Sequence, residues 1–231
     1  MPRQRLGARD LALENQRFTR RVTSRLAAAG VDQFLVIGAG SVTNPGVHLV
    51  LQDVEPSARV VYVSDNRMVL ALSRSLPHVN RSRSGGGVGY AYADLRESES
   101  ILAAPQVRTL DLAQPIALFV VAGLHLIPDC EDPFGLVGRL VKALAPGSYL
   151  VISHLTLDYP SPAVDAAMRL YERSGIPAQP RSRAEVEQFF DGLHLLDPGV
   201  ELVSRWHRSP GDGPMSSPEQ IACLAGVGRV Q

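Results

Sequence analysis

Four side chains near two strand-like runs could move protons. His125 and Asp129 follow the apolar run 116–121, and His154 and Tyr159 follow the run 148–153. A histidine there titrates near neutral pH and can act as a general base, with Asp129 and Tyr159 as neighbouring acid–base groups. A packed, structural histidine is the competing reading of both positions. A second set of residues could hold a ligand. Gly38-Ala39-Gly40 ends the run Gln33–Ile37 and forms a turn that lets backbone amides approach a bound molecule. A nicotinamide-type fingerprint would need a third glycine at position 43, where the chain has Thr43, so a dinucleotide is disfavoured. Ser64 and Asp65 end the run 59–63, where an acid would take ribose hydroxyls. Asp94 and Leu95 follow the run 88–93, where a carboxylate could receive an adenine amino group. Both acids could equally be helix caps. Together the three strand ends suggest an adenosine-type ligand.

Other chemistry finds little support. Cys130 and Cys223 lie far apart without metal-ligand spacing, so neither a zinc site nor a disulfide framework is expected. There is no Gly-x-Ser-x-Gly elbow and no Walker loop. Lys142 is the single lysine among 23 basic residues and falls in an ordinary helical stretch, which leaves little for amine chemistry. The stretch 81–89 (RSRSGGGVG) reads as a loop that is either solvated or anion-binding through Arg81 or Arg83.

These positions need a scaffold that brings strand ends together. Residues 14–29 have helical spacing (Phe18, Val22, Leu26), and Gly30 stops the helix. Helical patterns over 47–54, 68–76 and 135–144 alternate with apolar strands, and Ser182 with Glu185 forms a capping box before a helix at 184–191. A last strand is expected at 221–227. Strands separated by helices predict an α/β, doubly wound, Rossmann-like sheet in a single domain over 14–231, with residues 1–13 as a tail. Ligands of such sheets bind outside the carboxyl ends of the strands. The 231 residues carry 23 basic and 23 acidic side chains, so net charge is zero and no nucleic-acid partner is expected. No apolar run reaches the roughly 18–20 residues of a membrane span. The N-terminus lacks an apolar signal region, which makes the cytoplasm the expected location.

The chain resembles an S-adenosylmethionine-dependent methyltransferase family of GC-rich bacteria, formerly a domain of unknown function. The resemblance is carried by Asn15-Gln16-Arg17-Phe18, Val47-His48, Ala58 through Val63, Ala93-Asp94-Leu95-Arg96, Leu124-His125 with Pro128-Asp129, Leu144 through Leu150, Ser153-His154, Arg181 through Val186, and Ala225 through Arg229. It implies the class I methyltransferase fold and S-adenosylmethionine as cofactor, held by Gly38, Ala39, Gly40, Ser64, Asp65, Asp94 and Leu95. The departures are informative. The family places an acid at the position of Val36 to hold the cofactor's amino-acid end, and an Asp at the position of Ser64. Family members also carry an N-terminal segment, rich in Gly, Lys, Asp and Asn, that closes over the cofactor, and residues 1–13 do not match it. The expectation is a methyltransferase-fold protein of natural-product metabolism with an impaired cofactor site. It would perform a non-methylating step such as cyclisation or elimination on a small molecule, or work as a subunit whose partner protein covers the cleft. Active small-molecule methyl transfer is the alternative.

Overall fold

The computed structural model describes residues 3–38, 46–75, 86–208, 216–218 and 220–231, with the side chains of 3–8 and 73–75 outside that description. The first helix, α1 (Arg3–Ala28), begins at Arg3 rather than at residue 14, so most of the expected tail is helical. It ends where Gly30, at φ +88°, reverses the chain into β1 (Gln33–Ile37). Then follow α2 (Val47–Val54), β2 (Arg59–Ser64), α3 (Arg67–Ser75), β3 (Gly87–Tyr92), α4 (Ser98–Ala103), β4 (Ala117–Val121), α5 (Pro133–Lys142) and β5 (Tyr149–Leu155). The C-terminal part adds α6 (Pro162–Arg173), α7 (Arg183–Glu187), β6 (His194–Leu195), β7 (Glu201–Leu202) and β8 (Cys223–Arg229). Gly87 and Gly89 therefore lie in a strand, which corrects the reading of 81–89 as one loop; residues 81–85 fall outside the described set.

The strands form one sheet in the order β3-β2-β1-β4-β5-β8-β6, with β7 also paired to β8. The pairs from β3 to β5 are parallel, and β8 runs antiparallel to its neighbours. Strand alternation sorts the apolar side chains into two cores. Phe34, Val36, Tyr62, Phe119 and Val151 pack against Phe18, Val22 and Leu26 of α1, with Leu51 and Trp206. Leu35, Ile37, Val63, Leu118 and Ile152 pack on the opposite face against Ile101, Leu136, Leu140, Val186 and Phe189. The strand order reverses between β1 and β4, and this doubly wound arrangement places the binding crevice at their carboxyl ends. Gly38 at that point has φ +83°, a backbone conformation that glycine adopts without a Cβ penalty.

One large element was not read from the sequence. α6 opens with Ser161, whose side chain accepts from the Val164 amide, has Pro162 at its first turn, and is followed by Gly175 at φ +65°. Those start and stop signals are present in the sequence. The long connection from 156 to 181 hid them among prolines.

Candidate functional site

A cleft of about 1050 Å³ opens beside the carboxyl ends of β1 and β4, walled by α1, α2 and α6. Its floor is apolar, with Val36, Ile37, Phe119 and Val121, and the α6 wall is built from Ala163, Ala166, Ala167 and Leu170. Small residues on α6 leave the space that larger ones would fill. The α1 wall is more polar, carrying Asn15, Gln16, Thr19, Arg20 and Thr23. Thr19 and Thr23 donate their hydroxyls to carbonyls one helical turn earlier, at 2.8 Å each, so their donors are spent within the helix.

Asn15 is the polar joint between α1 and the sheet. Its Oδ1 accepts from the Ser153 hydroxyl at 2.6 Å, and the same hydroxyl oxygen accepts from the Ala122 amide at 3.0 Å. Ala122 has φ 55°, so the chain leaving β4 turns sharply where it lines the cleft. Cys223 completes this cluster, with Sγ 3.7 Å from Asn15 Nδ2, and burial pushes its thiol up to about 12. That leaves it protonated and unreactive. Sequence reasoning used Asn15 only as part of a resemblance. The usable signal was an amide in the apolar stripe of a helix.

His125 lies on the single turn Leu124–Leu126 after β4 and lines the cleft. It is 4% exposed, and its Nδ1 is buried without a hydrogen-bond partner among the described residues. Burial first, then the neighbouring His154 and Arg181, lower its pKa to about 3, which makes it neutral at physiological pH. Of the four proposed acid–base residues it is the one that lines this cleft.

The structure places the other three in the scaffold. His154 is fully buried, with Nδ1 2.7 Å from the Leu155 carbonyl and Nε2 2.8 Å from Arg181 Nη1. A guanidinium only donates, so Nε2 accepts and Nδ1 carries the proton that reaches the carbonyl. Both ring nitrogens are committed, and burial lowers the pKa to about 4. Arg181, 1% exposed, is the centre of this region. It donates to the carbonyls of Leu124 at 3.2 Å and Ile127 at 2.9 Å, and pairs with Asp129 at 2.6 Å. Gln179 adds a 2.7 Å bond to Asp129, and its amide donates to the His125 carbonyl at 2.7 Å. Asp129 is thus an anchor, held below the usual carboxylate range by Arg181 and Gln179. Tyr159 sits 3.4 Å from Arg183 Nη2 and packs between core residues without lining the cleft. Position after a strand suggested chemistry for these three; the structure places Asp129 and His154 on Arg181 and Tyr159 beside Arg183, none of them lining the cleft.

The positions expected to hold a nucleoside are divided. Gly38 lines the cleft, while Ala39 and Gly40 lie outside the described residues. Ser64 is buried, and its Oγ accepts from the Asn66 amide at 3.1 Å. Asp65 is exposed and away from the cleft lining, and the α3 cap considered for it is made by Asn66, which accepts from Met68 and Val69 at 3.0 and 3.2 Å. Asp94 Oδ1 accepts from the Arg96 amide at 2.9 Å and faces its guanidinium at 3.4 Å, leaving Oδ2 without a hydrogen bond among the described residues. Leu95 is half-buried against the second core. Arg96 bonds further to Glu131 and to the Leu126 carbonyl, tying the end of β3 to the His125 segment. Tyr62 places its hydroxyl at the start of α2, accepting from the His48 amide at 3.1 Å; a Cβ on Gly46 would lie 2.6 Å from that oxygen.

Among the described residues no group of three His, Cys, Asp or Glu side chains could hold a metal ion, and no helix is long and apolar enough to cross a membrane. No curated protein matches the chain. Solved structures do. A DUF574 family protein from Streptomyces avermitilis MA-4680 is 38% identical with a TM-score of 0.89, covering 94% of this chain and 83% of its own. A protein from Thermobifida fusca YX, described as a candidate methyltransferase, is 35% identical with a TM-score of 0.85, covering 97% of this chain and 83% of its own. An O-methyltransferase family protein from Burkholderia thailandensis, 16% identical with a TM-score of 0.58, covers 92% of this chain and 55% of its own and shares the fold. The family model described as S-adenosyl methyltransferase matches residues 1–231, and with the sheet order and the two close structures this establishes that the chain belongs to the S-adenosyl methyltransferase family.

Proposed function

We propose that the cleft serves a reaction on a small molecule with an apolar body and that tight binding of S-adenosylmethionine has been given up. The observation that carries this reading is Val36. Its side chain forms part of the apolar cleft wall beside Gly38, at the position where the family resemblance implies an acid for the cofactor's amino-acid end. The second expected acid is Ser64, whose hydroxyl is turned to its own backbone, and Asp65 beside it is exposed outside the cleft lining. The residues present therefore do not fit a strongly held S-adenosylmethionine. Losing two charge-assisted hydrogen bonds, at roughly 1.5–3 kcal/mol each, weakens binding by roughly two to four decades.

His125 supplies what the cleft retains for chemistry. Its ring stays neutral and its buried Nδ1 has no partner among the described residues, so it can exchange a hydrogen bond with a substrate hydroxyl and orient it, while its lowered pKa leaves it a weak base. A cyclisation or elimination within one bound molecule would draw on that orientation, with proximity supplied by the cleft walls. Active methyl transfer is the second reading. It is favoured by Gly38, which keeps the turn at the crevice, and by Asp94, whose Oδ2 has no hydrogen bond among the described residues and could take an amino group. Calorimetric titration with S-adenosylmethionine and S-adenosylhomocysteine separates the two. Dissociation constants in the high-micromolar to millimolar range, tightened by Val36→Asp, support the first; low-micromolar binding by the unaltered chain overturns it.

A further inference from the structure

The charged groups around the cleft are not balanced. Its lining carries Arg17, Arg20, Arg173 and one acid, Asp53. Arg17 is committed to Glu14 at 2.7 Å. Arg20 on α1 and Arg173 on α6 form no ion pair among the described residues, and both are exposed at the cleft edge. Leu170, 53% exposed, and Leu13, 40% exposed, carry the apolar lining out to the surface on α6 and α1, the helices that hold these two arginines. An apolar, low-dielectric wall concentrates the field of uncompensated cations toward whatever occupies the space. A guanidinium at such an edge is suited to a planar carboxylate or a sulfonate.

We infer that the cleft takes a small amphipathic acid, with its apolar body seated against the small-residue face of α6 and its anionic group met by Arg20 and Arg173 at the mouth. This rests on the small-molecule reading above and names its substrate class. Deeper in the cleft His125 is left to meet a hydroxyl or another protic group of the same molecule. Asp53 on the α2 wall disfavours an anion there, so the charge is directed to the α1–α6 side.

Two dyes that share a ring system test this. Anilinonaphthalene sulfonate carries an anionic group, and phenylnaphthylamine does not. Fluorescence titrations use the full chain, Arg20→Gln, Arg173→Gln and the double variant, with circular dichroism to verify folding. Two blocking variants, Ala166→Trp inside the cleft and Leu170→Glu at its mouth, place the dyes. The expected result is tighter binding of the sulfonate dye than of the neutral one. Each arginine substitution weakens the sulfonate dye about three- to tenfold and leaves the neutral dye unchanged. An unchanged preference in the double variant, with both dyes still displaced by the blocking variants, overturns the charge assignment and leaves the small-molecule cleft standing. Absence of dye binding, or binding indifferent to both blocking variants, overturns the cleft reading and the inference with it.

Discussion

The two sides of His125 differ in how their polar groups are used. Toward α7, the 124–129 segment is gripped by Gln179 and Arg181, and each guanidinium nitrogen that reaches it finds an acceptor. Toward α1 and α6, the α6 wall is apolar, the threonine donors of the α1 wall are spent within their helix, and Arg20 and Arg173 line the cleft without ion pairs among the described residues. A saturated polar network fixes geometry, and groups left without partners are the ones a ligand can use. Density of titratable residues therefore marks the rigid side here, and the binding side is the one that looks plain in the sequence.

Removing Arg181 should break this contrast most severely. Arg181→Met leaves Asp129 Oδ1, two carbonyls and His154 Nε2 without their Arg181 donor, and a loss of about 3–5 kcal/mol is expected in urea unfolding. A loss below about 1 kcal/mol would mean that the network contributes little.

The histidines give a pH signature of about half that size. His125 and His154 have folded pKa values of about 3 and about 4, below the ordinary histidine value of 6.5. The unfolded chain therefore binds protons first as pH falls. Their contribution is fully present above about pH 6.5 and is lost as pH drops toward the folded values, at about 1.4 kcal/mol per pH unit for each histidine. His125→Phe should recover about 2 kcal/mol at pH 5 relative to the unaltered chain, measured as the change in the slope of unfolding free energy between pH 6.5 and 5. An unchanged slope would show that His125 is solvated.

Asn15→Ala tests the joint between the two sides. It removes the acceptor of the Ser153 hydroxyl, and a cost of about 1–2 kcal/mol is expected. Hydrogen exchange at the Ala122 amide should rise with it, because Ser153 then loses its orientation. The smallest effect belongs to Asn66→Ala, which removes the α3 cap at about 1 kcal/mol and should leave dye binding in the cleft unaltered.

Much of the scaffold was legible because it depends on short-range patterns. β1, β2, β4 and β5 follow from apolar runs bounded by turn residues, and the Ser182–Glu185 box is present as read. The opening turns of α1 were missed because residues 3–10 have a polar, arginine-rich sequence; among the described side chains of the helix, packing against the core begins at Leu11. α6 was missed although Ser161, Pro162 and Gly175 announce it. In the site, His125 and Gly38 were placed at the crevice by strand position alone. Asp129, His154 and Tyr159 were given chemistry by the same argument, and their partners, Arg181 and Arg183, entered the sequence reading only through the resemblance and the neighbouring helix cap, with no pairing assigned.

What the sequence by itself determined is the alternation of strands and helices, the doubly wound class, and the strand ends that face the crevice. These rest on periodicity and local capping, which operate within a few residues. The tertiary structure decided which polar side chains are spent and which are available. Arg181 meets His154 from 27 residues away, and Asn15 meets Ser153 from 138 residues away. Hydrogen-bond saturation depends on distances of about 3 Å between such distant groups, and no local pattern encodes it.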